Sequence, residues 1–216
     1  VIEFMEMMVE RRKHLLPADI QPKPGRCSFI RKEVNRIIPE FDYTGNALSD
    51  TPVTPDDEDM KLVDMICQMD RNIINKVDYS EYEKFCIDME ALCRKRYNRW
   101  LREKGIDEEM AADFSWNIEL FLRFVYRYMH EEPATLKYMT PDCYPEFFMD
   151  YVLRKVVTKP HEYIRFMPAV KYFYRYLLEI GYKVKKFDET MKLLDVTEVH
   201  FLEKIRKRFG GKRGRP

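Results

Sequence analysis

The sequence contains few glycines and no long apolar run. Only 7 of its 216 residues are glycine, and a glycine-poor chain rich in Leu, Met, Glu, Lys and Arg favours helices. No stretch approaches the roughly 18 uncharged apolar residues that a membrane-spanning helix needs. The start, residues 1–16, is amphipathic and charged throughout, which is not typical of a signal peptide. These features predict a helical protein with neither a membrane span nor a signal peptide.

Paired cysteine motifs are also absent. The five cysteines are an odd number without C-x₂₋₄-C spacing, which favours reduced thiols in a cytoplasmic protein and predicts no zinc site. Cys86 and Cys93 lie seven positions apart on one predicted helix, and buried free thiols are their expected state. The four histidines are scattered, and no Ser/His/Asp or Cys/His set is present. We therefore expect no catalytic site, no bound metal and no cofactor.

The charges of the chain are balanced. Apolar residues make up 45% of the sequence and charged residues 35%, as in a globular protein with a substantial core. The 38 basic and 37 acidic residues leave a net charge of +1. This total argues against a protein that coats nucleic acid over its whole surface, but a local basic surface is compatible with it. The placement of the charges is therefore more informative than their sum.

Hydrophobic periodicity predicts an all-α fold with eight helices and no strand. Prolines and glycines separate the helices, for example Pro17, Pro39, Gly105 and Gly181. The segment Thr140-Pro141-Asp142 is expected to open one helix, with Thr at the N-cap and Pro at the first helical position. The predicted helices cover residues 2–16, 29–38, 56–69, 79–104, 107–130, 141–157, 161–180 and 188–208.

The sequence suggests three regions. Residues 1–98 are expected to form a helical N-terminal region, which contains a long polar loop near residues 39–59. Residues 99–186 are expected to form a helical domain. Residues 187–216 are expected to contain a closing helix and a basic tail. The sequence leaves the role of the N-terminal half and the oligomeric state open.

The segment Asp70–Glu81 has the length of an EF-hand calcium loop. It begins with an aspartate and ends with a glutamate, as such loops do. Ile74, however, occupies a ligand position without a side-chain oxygen, and Asn75 replaces the glycine of the sharp turn. A plain helix–turn–helix connection is the favoured interpretation, and calcium binding is the alternative.

An aromatic and basic segment lies at residues 166–186. Its apolar stripe, which we interpret as core, comprises Phe166, Val170, Phe173, Tyr174 and Leu177. Its other side and the residues beyond it are basic and tyrosine-rich: Lys171, Tyr172, Arg175, Tyr176, Lys183, Lys185 and Lys186. Basic groups interleaved with tyrosine hydroxyls are typical of phosphate contacts. An ordinary solvated helix face would show a similar charge pattern.

Three stretches of this half resemble the SAM-like core-binding domain of tyrosine recombinases (phage integrases). They are WNIELFLRFVYRYM (116–129), YMTPDCYPEFFMDYVLRK (138–155) and AVKYFYRYLLEIGY (169–182). The resemblance covers well under half of the chain. It implies a SAM-like four-helix bundle over residues 99–186 that clamps one face of DNA. By the same resemblance, Lys155, Lys171 and Arg175 would contact the DNA backbone.

The resemblance does not include the catalytic domain of that family. That domain follows the bundle and carries an Arg, a His-x-x-Arg motif and a nucleophilic Tyr. Only 30 residues follow Lys186, and no His-x-x-Arg occurs, since Arg165 lies four positions after His161. We therefore expect DNA binding without strand cleavage.

The last thirteen residues, KIRKRFGGKRGRP, contain seven Lys or Arg and no acidic residue. The final segment resembles an AT-hook, in which an Arg-Gly-Arg-Pro core lies in the minor groove of A·T tracts, where negative potential concentrates. The basic extension that usually follows the core is missing. An ordinary solvated basic end is the alternative. The candidate DNA contacts here are Lys204, Arg206, Lys207, Arg208, Lys212, Arg213 and Arg215.

Together these patterns predict a non-enzymatic DNA-binding protein, with phosphate contacts from the helical domain and minor-groove contacts from the tail. A helical protein–protein interaction module without a nucleic-acid role is the alternative. It would equally explain the neutral charge and the many Met and aromatic residues.

Overall fold

The computed structural model describes residues 26–38, 48–128 and 134–210. Within these ranges every regular element is helical, and an isolated bridge joins Thr135 to Tyr138. The all-α prediction is therefore confirmed for this part of the chain. The elements are α1 (Arg26–Ile37), α2 (Asp57–Ile74), α3 (Tyr79–Glu103), α4 (Glu108–Arg127), α5 (Cys143–Glu146), a π-helical segment (Phe147–Val152), α6 (Leu153–Lys155), α7 (Pro160–Glu179) and α8 (Phe187–Gly210).

The chain divides into two compact units, each assembled from separated segments. Unit I contains α1, the stretch Thr140–Met167 and the chain from Asp188 onward. Unit II contains the stretches Thr44–Met139 and Pro168–Phe187. Helix α7 therefore continues from one unit into the other.

This division differs from the regions expected from composition. The expected boundary at residue 98 lies inside α3, which runs without interruption from Tyr79 to Glu103. The stretch 99–186, expected to be one domain, contributes helices to both units. Composition marks loops, whereas these units are defined by contacts between segments that are distant in the sequence.

Aspartates begin the helices of unit II. The Asp56 side chain accepts hydrogen bonds from the backbone N–H groups of Glu58 and Asp59, and Asp59 accepts one from the N–H of Asp56 in return. This reciprocal pair is a capping box. Asp78 and Asp107 cap α3 and α4 in the same position. The negative charges also suit the positive end of each helix dipole.

Aromatic side chains of α3 and α7 fill the core of unit II. Tyr97 is fully buried, and its ring centroid lies 5.4 Å from that of Phe173 and 5.6 Å from that of Tyr176. Its hydroxyl donates to the carbonyl of Ala169 at 2.8 Å. A buried tyrosine needs such a partner, because an unpaired hydroxyl would cost free energy.

Unit I has its own aromatic core. Phe148 of the π-helical segment lies 5.4 Å from Phe201 of α8, and Phe147 lies 6.2 Å from Phe166. The bidentate pair of Arg31 with the buried Glu198 joins α1 to α8 at 2.7–3.1 Å. Unit I is thus held by contacts between residues more than 160 positions apart.

Several predicted helices are confirmed, but some of the predicted helix ends are wrong. Helices α3, α4, α7 and α8 lie where periodicity predicts them. The predicted end of α2 at Met69 is wrong, since the helix continues to Ile74. Thr140 is not an N-cap: residues 141–142 form a turn and the helix begins at Cys143, after Asp142.

Two further expectations fall wholly or partly outside the described residues. The predicted helix at residues 2–16 and the 39–47 part of the long loop lie outside the described residues. The described remainder of that loop, up to Asp56, is not helical. Among the described helices, none is both long and apolar enough to cross a membrane.

Candidate nucleic-acid interface

Two basic loops of unit II lie side by side. We call residues 183–186 the lysine turn; its Lys183, Lys185 and Lys186 side chains are all exposed. The backbone N–H of Lys185 donates to the carbonyl of Lys137 at 3.2 Å. Lys137 is exposed as well, and the neighbouring Tyr138 is 56% exposed. The fold therefore brings four lysines and an accessible aromatic ring to one surface.

A helix C-cap fixes the start of the lysine turn. Gly181 follows α7 with φ of +89°, and its N–H donates to the carbonyl of Leu178. The N–H of Tyr182 reaches back to the carbonyl of Leu177 at 2.9 Å. This bond pattern is a Schellman motif, which glycine favours because it has no Cβ. The motif sets the direction in which the lysines leave the helix.

The buried carboxylate of Asp70 binds the residue that precedes the lysine turn. Tyr182 is buried and its hydroxyl donates to Oδ2 of Asp70 at 2.5 Å, while the hydroxyl of Tyr126 donates to Oδ1 at 2.9 Å. Burial raises the pKa of Asp70 above its usual value, although both tyrosines and the nearby Lys137 and Arg71 oppose the shift. These bonds connect α2, α4 and Tyr182, the residue that precedes the lysine turn.

The predicted contacts on α7 occupy different environments. Arg175 is exposed, whereas Lys171 and Tyr172 are half-buried. The Tyr172 ring centroid lies 5.9 Å from that of Phe114, so the ring contributes to packing.

Tyr176, which the sequence pattern placed on the basic face, is buried. Its hydroxyl donates to Oδ1 of Asp59 at 3.1 Å. That placement is corrected because the buried stripe of α7 is wider than the spacing of Phe173 and Leu177 suggests.

The remaining described candidates lie in unit I. Lys155 is exposed at the end of α6, with its Nζ 5.5 Å from the ring centroid of Tyr151. Lys204 and Lys207 are exposed on α8, and Arg206 is half-buried.

Arg208 of α8 is exposed but engaged within unit I. Its guanidinium donates to the carbonyl of Leu153 and lies 5.4 Å from the ring centroid of Tyr163. Arg208 therefore contributes to holding α8 in place as well as to the charge of the helix end.

The candidate contacts divide between the units, and the tail is not described. Lys155, Lys204, Arg206, Lys207 and Arg208 belong to unit I. Lys171, Tyr172, Arg175 and the lysine turn belong to unit II. The AT-hook residues Lys212, Arg213 and Arg215 lie outside the described residues.

The Asp70–Glu81 segment is a helix–turn–helix connection, as favoured. Helix α2 includes Asp70, whose carboxylate accepts from the two tyrosines described above. Asp78 caps α3 by accepting from the N–H of Ser80, and Glu81 lies on that helix. In this structure the first and ninth positions of the calcium alternative, Asp70 and Asp78, therefore accept hydrogen bonds from the fold itself.

Of the cysteines with described side chains, Cys86, Cys93 and Cys143 are buried and Cys67 is half-buried. Cys86 and Cys93 are buried and reduced, and burial raises the pKa of Cys86 to about 12. Among the described residues, no three His, Cys, Asp or Glu side chains converge as metal ligands would.

Sequence reasoning missed Lys137 and Tyr138. Their stretch has no helical period, so nothing in the sequence pairs Lys137 with the lysine turn, which begins 46 positions later. The tyrosines Tyr126 and Tyr182 offered an indirect signal, because buried hydroxyls require acceptors.

The chain was compared with protein-family models, with curated proteins and with solved structures, and none of the three comparisons finds a match.

Proposed function

We propose that this chain is a non-enzymatic DNA-binding protein that contacts the phosphate backbone through the lysine turn and Lys137 of unit II. The observation that supports this most directly is the backbone bond between Lys185 and Lys137, which joins two lysine-bearing loops. Among the described residues, Lys183 and Lys185 take part in no ion pair. Ammonium groups without carboxylate partners are available to phosphate oxygens.

The accessible ring of Tyr138 adds to this surface. Its 56% exposure leaves both a face for stacking and a hydroxyl for a phosphate contact. Arg175, exposed on α7, supplies a further cation within unit II. Lys204 and Lys207 of unit I, followed in the sequence by the Arg-Gly-Arg-Pro core, provide an independent basic segment for the minor groove.

The alternative of a protein-interaction module has less support. That function would be favoured by a row of exposed apolar side chains along one helix. In unit II the exposed large aliphatic and indole side chains are spread over four helices. They are Met60, Ile74, Ile87, Trp116 and Leu178. The two on one helix, Met60 and Ile74, are about four turns apart.

The salt dependence of DNA affinity tests the proposal. We expect a fluorescence anisotropy titration with a duplex to show binding at about 50 mM salt, weakening steeply at higher salt. The double variant K183Q/K185Q should lower the slope of log affinity against log salt by about 2, since each lost phosphate contact contributes nearly 1.

A charge-matched control separates a local site from a general charge effect. Lys61 and Lys76 are exposed in unit II, on α2 and at its end. The variant K61Q/K76Q removes the same charge and should leave the slope unchanged. Absence of binding by the unmodified chain at about 50 mM salt, or equal slopes for both double variants, would refute the proposal.

A further inference from the structure

A cleft of about 580 Å³ lies between α3 and α4, within unit II. Its charged walls are formed by Arg94, Lys95, Arg123 and Arg127 together with Glu90 and Glu119. Four cations therefore face two carboxylates. The cleft shares no residue with the proposed DNA surface, and its chemistry needs a separate explanation.

The carboxylates orient the guanidinium groups without saturating them. Glu119 pairs with Arg94 at 2.9 Å and also with Arg123. Glu90 pairs with Arg127 at 2.6 Å and lies 4.0 Å from Arg123. A guanidinium group carries five N–H donors, so one or two carboxylate contacts leave several of them available. The arginines are thus held in position for a further acceptor.

One donor at the cleft is both buried and unpaired. Nε of Arg127 is closed off from solvent and has no hydrogen-bond partner among the described residues. A buried donor without an acceptor costs free energy, and such atoms are rare in folded proteins. The Arg127 side chain as a whole is 27% exposed, so an anion in the cleft reaches it at its exposed part and not at Nε.

The acidic side of the cleft is largely withdrawn from solvent. Glu90 is only 3% exposed, and desolvation raises its pKa above the usual value, although Arg127 and Arg123 oppose the shift. Lys95 is turned toward Glu58, outside the cleft, at 2.8 Å. The three arginines are consequently the groups that face an incoming anion.

We propose that this cleft binds the phosphate group of a small molecule through Arg94, Arg123 and Arg127. Phosphate suits the site because it presents several acceptor oxygens, which three separate guanidinium groups can share. Ile87, 45% exposed at the cleft, and Ala91 beside it offer an apolar surface to the remainder of such a molecule. This site is independent of the proposed DNA surface.

Inorganic phosphate is the probe for the test. Backbone amide NMR signals of the complete chain should shift saturably on phosphate addition, at constant ionic strength set with chloride, for residues lining α3 and α4 of the cleft. The variant R123Q should weaken phosphate binding about tenfold, as expected for a lost charge-assisted contact. Arg123 is 44% exposed, so we expect this variant to remain folded, which its circular dichroism spectrum checks.

R102Q is the matched control. Arg102 is an exposed arginine of the same helix α3, but it does not line the cleft, and its replacement should leave the phosphate affinity unchanged. Shifts confined to other surfaces, no saturation up to about 20 mM phosphate, or equal weakening by R102Q and R123Q would overturn the proposal. Displacement of phosphate from these residues by duplex DNA would overturn it too, because the cleft would then belong to the DNA surface.

Discussion

Arg96 is a buried cation whose partners all come from the start of α2. Its Nε and Nη2 donate to the two carboxylate oxygens of Asp59 at 2.9 and 2.8 Å, and both residues are less than 5% exposed. The hydroxyl of Tyr176 and the backbone N–H of Asp56 also donate to Asp59, which therefore accepts four hydrogen bonds. Arg96 is the cation that pairs with the buried carboxylate of Asp59. Removing Arg96 therefore costs the free energy of leaving that carboxylate buried without a cation.

The first prediction concerns this pair. We expect R96M to lower the free energy of unfolding by about 3–5 kcal/mol, because Asp59 then stays buried without its cation. Urea denaturation followed by circular dichroism measures the effect. R102M, at the exposed position 102 of the same helix, should change it by no more than about 0.5 kcal/mol. Equal losses in the two variants would contradict the assigned role.

The same cluster predicts the response to acid. Although desolvation opposes it, hydrogen bonds from Arg96 and Arg99 hold the pKa of Asp56 at about 2, and Arg96 likewise keeps the pKa of Asp59 below its usual value. The unfolded chain therefore takes up protons first as the pH falls. The stabilisation is complete above the ordinary Asp pKa, about 4, and is lost as the pH falls toward 2.

The predicted loss of stability at low pH is tested by measuring the midpoint of urea unfolding between pH 5 and pH 2.5. The unmodified chain should lose stability over this interval more steeply than R96M, in which Arg96 no longer lowers the pKa values of Asp56 and Asp59. Asp70 has a raised pKa and so contributes in the opposite direction, but it is present in both proteins. The difference between the two curves therefore isolates the Arg96 cluster. Parallel curves would show that the cluster does not govern the acid response.

At the scale of elements, two helices of unit II end in the same way. Gly105 after α3 and Gly181 after α7 both have φ of +89°, and no atom lies within 4 Å of a Cβ added at either position. The backbone N–H of Ile106 donates to the carbonyl of Leu101, and that of Tyr182 donates to the carbonyl of Leu177. The two motifs match in geometry, but only one leads into the lysine turn.

This pair gives a prediction with an internal control. Because the left-handed conformation is strained for alanine, G105A and G181A should each lower the free energy of unfolding by about 1 kcal/mol. G181A alone should also reduce duplex affinity at constant salt, since it changes the direction of the lysine turn without removing a charge. Anisotropy and urea denaturation on both variants measure the two effects. Equal affinities would show that the direction of the turn does not matter for binding.

The positions of most helices could be predicted from the sequence, whereas the contacts between distant segments could not. The spacing of Phe173 and Leu177 placed the centre of the buried face of α7, because period and burial are coupled in a helix. It did not give the width of that face, since Tyr176 is buried as well. The start at Thr140 was wrong because a Thr-Pro-Asp sequence also suits a turn, which is what residues 141–142 form.

Only one of the two basic loops of the candidate site could be predicted from the sequence. The lysine turn stands out as a basic run, but its partner Lys137 lies in a short loop without periodicity. Asp70 binds Tyr182, the residue before the lysine turn, and its burial between two tyrosines cannot be read from its neighbours in the sequence. An aspartate before Arg and Asn looked like the first residue of a metal loop, yet it serves as an acceptor inside unit II.

At the scale of the whole molecule, basic segments occur in both units and in the tail. Deleting residues 211–216 should weaken binding to an A·T-rich duplex more than binding to a G·C-rich duplex, because the Arg-Gly-Arg-Pro core suits a narrow minor groove. Paired anisotropy titrations on the two duplexes measure this difference. An equal loss on both would assign the tail a nonspecific electrostatic role.

The segmented make-up of the two units also sets the order in which they can be completed during synthesis. Unit II has all its segments once Phe187 has left the ribosome, although α1, which precedes it in the chain, belongs to unit I. Unit I is complete only when α8 follows, because α8 supplies Glu198 for Arg31 and Phe201 for Phe148. The usual N-terminal-first order of domain folding is thus reversed. Until α8 emerges, Arg26 and Arg31 of α1 remain without Glu203 and Glu198, with which they pair in the finished unit.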